Sequence, residues 1–180
     1  LRYDGSSKFA KPNRWGFFPS GSLAWRLTNE SFMNGYKDKV GDIKLRASYG
    51  VLGNQNISDY LYMTRYSLFP NTYIVGDSSL AGSGFVYGNQ DLRWESTHNS
   101  NFGIDATFLR NKLNVSFDYF HKVTKDILVE PVIPSTFGTK LESYNVGEMK
   151  NQGWELNIGY TFTTGAFSHG IVANVGDSRN

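Results

Sequence analysis

The stretch NFGIDATFLRNKLNVSFDYF, from Asn101 to Phe120, decides how this chain folds. Apolar and polar residues alternate along it, the pattern breaks at residues 109–112, and the alternation then resumes. A period of two is typical of β-strands with one apolar face. A tight two-residue turn at Arg110 and Asn111 would join the two strands as a hairpin. That register pairs Phe108 with Leu113, Ala106 with Val115, Ile104 with Phe117 and Phe102 with Tyr119.

The hairpin therefore has a dry face and a wet face, because every apolar pair shares one side. Asp105 and Asp118 lie on the other side, among asparagine, serine and threonine. The hairpin alone leaves open whether the dry face contacts a protein core or a lipid bilayer.

The same alternation recurs along the chain and predicts an all-β protein of about seven long strands. Before the hairpin it extends back to Leu92 and Trp94, which predicts one strand from Leu92 to Phe108. The other apolar faces are Phe17, Leu23, Trp25 and Leu27; Ile43, Leu45, Ala47 and Tyr49; Trp154, Leu156, Ile158, Tyr160 and Phe162; and Ile171, Ala173 and Val175.

The composition excludes several classes of protein. The 180 residues contain no run of apolar residues long enough for a transmembrane helix. There is no cysteine, which excludes disulfides and thiol chemistry, and the net charge of +2 does not indicate a nucleic-acid partner. A transmembrane β-barrel stays compatible with the mean hydropathy of −0.40, because its strands alternate polar and apolar residues.

The connections between strands differ in length in a regular way. Those at 28–42, 110–111 and 163–170 would lie at one end of the strands, and those at 5–14, 51–91 and 129–148 at the other. Outer-membrane barrels have short periplasmic turns and longer extracellular loops, so this pattern favours a barrel. Bacterial barrels normally have an even number of strands. An odd number, with an incomplete strand at each end, predicts that residues 1–180 are part of a larger barrel.

Five stretches carry a resemblance to a known family. They are DGSSKFAKPNRWGFFPSGSLAWRL, KLRASYGVLGNQNI, NQDLRWESTHNSNFGID, LNVSFDYFHKVTKDIL and NVGEMKNQGWELNI. Together, in this order, they resemble the C-terminal part of the barrel of the SusC/RagA family, the TonB-linked outer-membrane transporters. The resemblance covers almost the whole chain.

The resemblance implies a transporter of the bacterial outer membrane. A full-length member has a plugged barrel of about 22 strands. A SusD-like surface lipoprotein closes its mouth, and TonB acts on an N-terminal box. The plug and the TonB box are absent here, so TonB would act through the missing N-terminal part. The expected cargo is an oligosaccharide or a peptide.

Loop lengths and the resemblance together assign the two faces. Residues of the dry face are predicted to contact outer-membrane lipid: Phe102, Ile104, Phe108, Leu113, Val115, Phe117, Tyr119, Trp154, Leu156, Ile158 and Tyr160. Residues of the wet face are predicted to line the lumen: Arg46, Glu95, Asp105, Asp118 and Glu155. The aromatic residues Trp25, Trp94, Trp154, Tyr119 and Tyr160 suit interfacial girdles, although in a soluble sandwich they would be core residues.

Aromatic residues of the long loops are candidates for contact with substrate or lid. They are Tyr60, Tyr62, Tyr73, Tyr87, Phe137 and Tyr144; alternatively, they stiffen the loops. His98, His121 and His169 lack the spacing of metal ligands. No catalytic residue, metal or other cofactor is implied, and we do not expect an enzyme.

The sequence thus predicts a barrel segment of a TonB-dependent importer. The main alternative is a soluble carbohydrate-binding β-sandwich whose apolar faces pack on each other. A structural or adhesin-like barrel without transport is a third reading.

Overall fold

The computed structural model describes residues 1–36, 40–76, 78–134, 136, 138 and 140–180, with the backbone alone for 70–75, 79–80 and 140. These residues form eleven strands and three short 3₁₀ turns. The strands are β1 (Arg2–Gly5), β2 (Trp15–Phe18), β3 (Ser20–Arg26), β4 (Val40–Asn54), β5 (Arg65–Val75), β6 (Ser78–Tyr87), β7 (Glu95–Phe108), β8 (Leu113–Val129), β9 (Lys140–Leu141), β10 (Tyr144–Thr164) and β11 (Phe167–Arg179). The 3₁₀ turns are Lys11–Asn13, Leu27–Asn29 and Ser31–Met33.

The largest sheet has six strands in the order β11-β10-β8-β7-β4-β3. A two-stranded sheet pairs β1 with β2, and Pro19, which lacks a backbone N–H, separates β2 from β3. With β2 and β3 taken as one interrupted strand, β1 and the large sheet account for the seven predicted long strands. The all-β prediction is confirmed.

The connection predicted at 51–91 contains a hairpin that the alternation did not reveal. Strands β5 and β6 pair antiparallel, and β9 joins them as a short parallel strand. The three-stranded sheet is therefore formed by two connections, because β9 belongs to the one predicted at 129–148.

Strand pairing keeps the two faces of the large sheet separate. Between β10 and β11, Leu156 pairs with Val175, and Asn157 pairs with Asn174. Between β3 and β4, Trp25 pairs with Leu45. Because side chains alternate along a strand, matched pairs of this kind place apolar residues on one face and polar residues on the other.

The turn between β7 and β8 is the tight turn that the sequence predicts. The Lys112 N–H donates to the Leu109 carbonyl at 3.3 Å. The two central residues have left-handed backbones, with φ of 56° at Arg110 and 67° at Asn111. A type I′ turn requires positive φ at both central positions, and its twist matches that of a hairpin.

The chain divides into two compact units. The first comprises 1–18, 52–96 and 124–148, and the second comprises 19–51, 97–123 and 149–180. The connections predicted to be on the extracellular side fall in the first unit, apart from Val51 at the start of one of them. The short connections 110–111 and 163–170 and the connection 28–42 fall in the second.

The first unit has a small apolar core. Phe9 and Leu92 are fully buried, and the Trp94 ring lies 5.3 Å from the rings of both Phe9 and Phe18. The prediction that Trp94 belongs to an interfacial girdle is therefore wrong, since only 8% of it is exposed. Strand β7 begins at Glu95 rather than at Leu92, because Leu92 and Trp94 pack into this core.

The second unit leaves its apolar face exposed. Leu23 is 81% exposed, Phe102 58% and Ile171 61%. In a β-sandwich, side chains in these positions would be buried against a second sheet. Within the described residues, no helix is both long and apolar enough to cross a membrane.

Candidate functional site

A cluster of charged side chains lies on the polar face of the second unit, centred on Arg46 of β4. The Arg46 Nε donates to Asp105 Oδ2 at 2.8 Å, and its Nη2 donates to Asp105 Oδ1 at 3.0 Å. The same Nη2 donates to Asp118 Oδ2 at 3.1 Å and lies 3.0 Å from Asp118 Oδ1. One guanidinium thus joins the strands β4, β7 and β8.

Strand order explains why these residues meet. β7 lies between β4 and β8, so Arg46 must reach past one strand to contact Asp118. Gly103, on β7, leaves the space: a β-carbon there would lie 2.6 Å from Asp118 Oδ1 and 2.8 Å from Arg46 Cζ. The bidentate geometry is one that arginine forms and lysine does not.

The cluster is partly open to solvent. The side chains of Arg46, Asp105 and Asp118 are 38%, 40% and 33% exposed. Solvent screening limits each such ion pair to roughly 1 kcal/mol or less. Because the guanidinium occupies both carboxylates, the arrangement ties strands together and presents a polar wall.

Sequence reasoning placed five residues on this wet face, and the structure brings three of them together. Glu155 lines a groove beside Arg46 and Asp118. Glu95 lies in the first unit, where it accepts hydrogen bonds from the Asn54 amide at 2.7 Å and the Leu128 N–H at 3.0 Å. Their predicted exposure to a lumen stays a prediction.

The predicted loop aromatics lie in several kinds of structure. Tyr60 is 61% exposed in a turn with a φ of 63°, and Tyr62 is half-buried. Tyr87 ends β6 and Tyr144 begins β10, so neither is a true loop residue. The backbone of Tyr73 pairs with Leu80 within the β5–β6 hairpin, and Phe137 lies outside the described residues.

Sequence reasoning missed two aromatic residues next to Tyr87. Tyr66 on β5 is 80% exposed, and its ring lies 6.2 Å from that of Phe85 on β6. The Phe85 ring lies 4.9 Å from that of Tyr87 in an edge-on arrangement. The available signal was the composition of RYSLF and GFVYG, since short runs rich in aromatic and β-branched residues are typical of strands.

Histidine, aspartate and glutamate do not form a metal-binding group among the residues that the structure describes. His98 Nδ1 lies 2.8 Å from the Tyr49 hydroxyl, and the His169 ring stacks on Phe162. Both are ordinary polar and aromatic contacts.

Comparison with known proteins identifies the family to which this two-faced sheet belongs. The family model described as TonB-dependent receptor-like β-barrel matches residues 1–180. TonB-dependent receptor P3 of Formosa agariphila is 36% identical over 159 residues, which are 87% of this chain and 16% of that protein. TonB-dependent receptor SusC of Bacteroides thetaiotaomicron is 34% identical over 167 residues, which are 88% of this chain and 16% of that protein.

A solved structure gives the same answer. The RagAB peptide importer in its closed-closed state matches with a TM-score of 0.79 and 29% identity, covering 98% of this chain and 19% of that chain. The chain thus spans about a sixth of the length of the curated relatives that it matches.

The fold and its two faces define a class, the antiparallel β-barrels of the bacterial outer membrane. The chain belongs to the TonB-dependent receptor-like β-barrel family, and it resembles the SusC/RagA members. The resemblance inferred from the five stretches is confirmed, and so is the outer-membrane location. These relatives are receptors and importers rather than enzymes. The soluble sandwich left open by composition is wrong.

Proposed function

We propose that the chain is part of the barrel wall of an importer that takes up oligosaccharides or peptides across the outer membrane. Its similarity to SusC and to the RagAB peptide importer supports this proposal. The observation that carries it is the large sheet, with one exposed apolar face and one polar face. The apolar face contacts lipid, and the polar face with Arg46 lines the lumen.

The proposal includes parts of the protein outside residues 1–180. These residues would form one partial barrel domain, while the plug and the TonB box would belong to other parts of the polypeptide. A SusD-like surface lipoprotein would close over the long connections, and TonB would energise release of the cargo. This segment contributes wall and loop surface.

The first experiment separates a barrel from any soluble protein. The full-length parent protein is fractionated, extracted with detergent and run on a gel with and without heating. We expect it in the outer-membrane fraction, with the heat-dependent migration typical of barrels. Recovery in the soluble fraction without detergent would overturn the proposal.

The second experiment tests the cargo and the lid. The detergent-purified parent is tested for binding to a mixture of oligosaccharides and to a mixture of tryptic peptides. The neighbouring genes are also searched for a SusD-like lipoprotein, which is co-expressed with the parent and tested for co-purification. We expect one of the two mixtures to bind and the lipoprotein to co-purify. Failure of both mixtures to bind would refute the proposed substrate classes, and failure of the lipoprotein to co-purify would refute the proposed lid.

A further inference from the structure

Asn145, near the start of β10, binds the backbone of a residue far away in the sequence. Its Nδ2 donates to the Arg93 carbonyl at 2.9 Å, and its Oδ1 accepts from the Arg93 N–H at 3.0 Å. A carboxamide carries the same donor and acceptor as a peptide group, so Asn145 takes the place of a neighbouring strand at this residue. The same Nδ2 also donates to the Asp126 carbonyl at 2.7 Å.

Asp126 is held in a conformation that costs energy. Its φ is 59° although it lies within β8, and non-glycine residues adopt this left-handed region infrequently. Such a backbone persists where surrounding contacts enforce it. Here Asn145 holds the carbonyl, while the Arg93 Nε and Nη2 donate to Asp126 Oδ1 at 3.0 Å and 2.7 Å.

We call Arg93, Asp126 and Asn145 the root clamp, because all three lie where the long connections meet the strands. Arg93 lies two residues before β7, near the end of the connection that begins after β4, and Asp126 and Asn145 flank the connection between β8 and β10. All three belong to the first compact unit. Each also lies in a different one of the five sequence stretches quoted above.

A second contact supports the same roots. Glu95 accepts from the Asn54 amide on β4 and from the Leu128 N–H on β8. Within the first unit, side chains therefore join the ends of β4, β7, β8 and β10. These contacts are hydrogen bonds, which are directional. Apolar contacts are not directional and would fix the ends of the connections less precisely.

We propose that the root clamp is a positioning device, which fixes both long connections so that their aromatic residues are held ready to capture cargo. Tyr60 and Tyr62 lie on one connection, Tyr87 ends strand β6 within it, and Tyr144 begins β10 directly after the other. The role in capture rests on the proposed importer function. The fixing of the two connections by the root clamp does not depend on that function.

The test replaces Asn145 by aspartate in the full-length protein. Asn145→Asp has nearly the same shape and keeps an acceptor for the Arg93 N–H, but it loses both donated hydrogen bonds. Its second oxygen then faces two carbonyl oxygens. Hydrogen exchange is followed by mass spectrometry, and binding is measured with the oligosaccharide or peptide mixture that the wild-type protein binds.

We expect amide exchange within 55–92 and 130–144 to become about tenfold faster, because losing a net hydrogen bond raises the open population by about that factor. Exchange in β11 and the heat-dependent migration should not change. Affinity for the cargo mixture should fall about fivefold or more, since unfixed loops must be ordered on binding. Asn157→Asp, on the same strand but in the second unit, is the matched control and should leave exchange in both connections unchanged.

The measured exchange and affinity decide whether the root clamp fixes the connections and whether it positions their aromatic residues. Unchanged exchange in the two connections would overturn the clamp. Faster exchange with unchanged affinity would overturn its positioning role. If the wild-type protein binds neither mixture, the proposed substrate classes fail, and exchange alone decides whether the clamp fixes the connections. If Asn145→Asp does not assemble, Arg93→Lys, which keeps the charge but loses the two-nitrogen grip on Asp126, is measured in the same way.

Discussion

Gly103 leaves the space in which the Arg46 guanidinium contacts two carboxylates. The β-carbon of any other residue would stand within 3 Å of both Arg46 and Asp118. Glycine is required at position 103 because it has no side chain, and not because its backbone adopts an unusual conformation.

Replacing Gly103 by alanine should therefore destabilise the barrel. We expect Gly103→Ala to lower the free energy of unfolding by about 1 kcal/mol or less, because the flexible ends of Arg46 and Asp118 move away from the new methyl group and lose an ion pair of that size. Urea unfolding of the full-length protein in detergent measures it. Gly159→Ala is the control, because a β-carbon at Gly159 has its nearest neighbour, Asn114 Cβ, at 4.0 Å. Equal loss in both variants would contradict the steric argument.

Sequence reasoning placed Arg46, Asp105 and Asp118 on one face but could not predict that they touch. Alternation reports the side of a strand and does not report which strands are neighbours. Contact here requires β7 to pair with β4, although the β5–β6 hairpin separates these two strands in the sequence. Trp94 was misplaced for a related reason, since its parity matched the apolar face while a local core buried it.

At the scale of single elements, the turn between β7 and β8 is strained by its own residues. Leu109, Arg110 and Asn111 all have positive φ. A β-branched residue tolerates this region least, and glycine tolerates it best.

Two substitutions in this turn should differ in their effect on the free energy of unfolding. Arg110→Val should lower the free energy of unfolding by about 1–2 kcal/mol, because valine resists the left-handed backbone. Asn111→Gly should be neutral or raise it by up to about 1 kcal/mol. Urea unfolding of the full-length protein is the measurement. Lys112→Val, one position later where φ is not positive, should have a smaller effect than Arg110→Val; the reverse order would refute the prediction.

This turn was predictable because two alternating runs fixed its position and length. The β5–β6 hairpin was missed because Pro70, Asn71 and Gly76 interrupt its alternation. A bulge between Phe69 and Tyr73 shifts its register, which hides the period of two.

At the scale of the whole molecule, the two faces of the large sheet meet different surroundings. Leu156 and Asn157 are adjacent in sequence, and their partners Val175 and Asn174 confirm that they lie on opposite faces. This allows a matched comparison within one strand.

Leu156→Arg should block assembly far more than Asn157→Arg. An arginine facing the middle of the bilayer costs about 2–4 kcal/mol, whereas one facing the lumen costs little. The measurement is the fraction of the full-length protein that reaches the outer membrane in its heat-modifiable form. Equal losses would mean that the proposed lipid and lumen faces are wrong.

Because of the side-chain contacts at the ends of the long connections, the loops can evolve independently of the strands of the barrel wall. Asn145 grips a peptide group of Arg93 and not a particular side chain. The exposed residues between 55 and 91 can therefore change in number and kind, while the buried Leu61 and Leu92 and the anchor points stay the same. Loops can therefore be exchanged on this barrel, in evolution or by protein engineering, without a redesign of the strands.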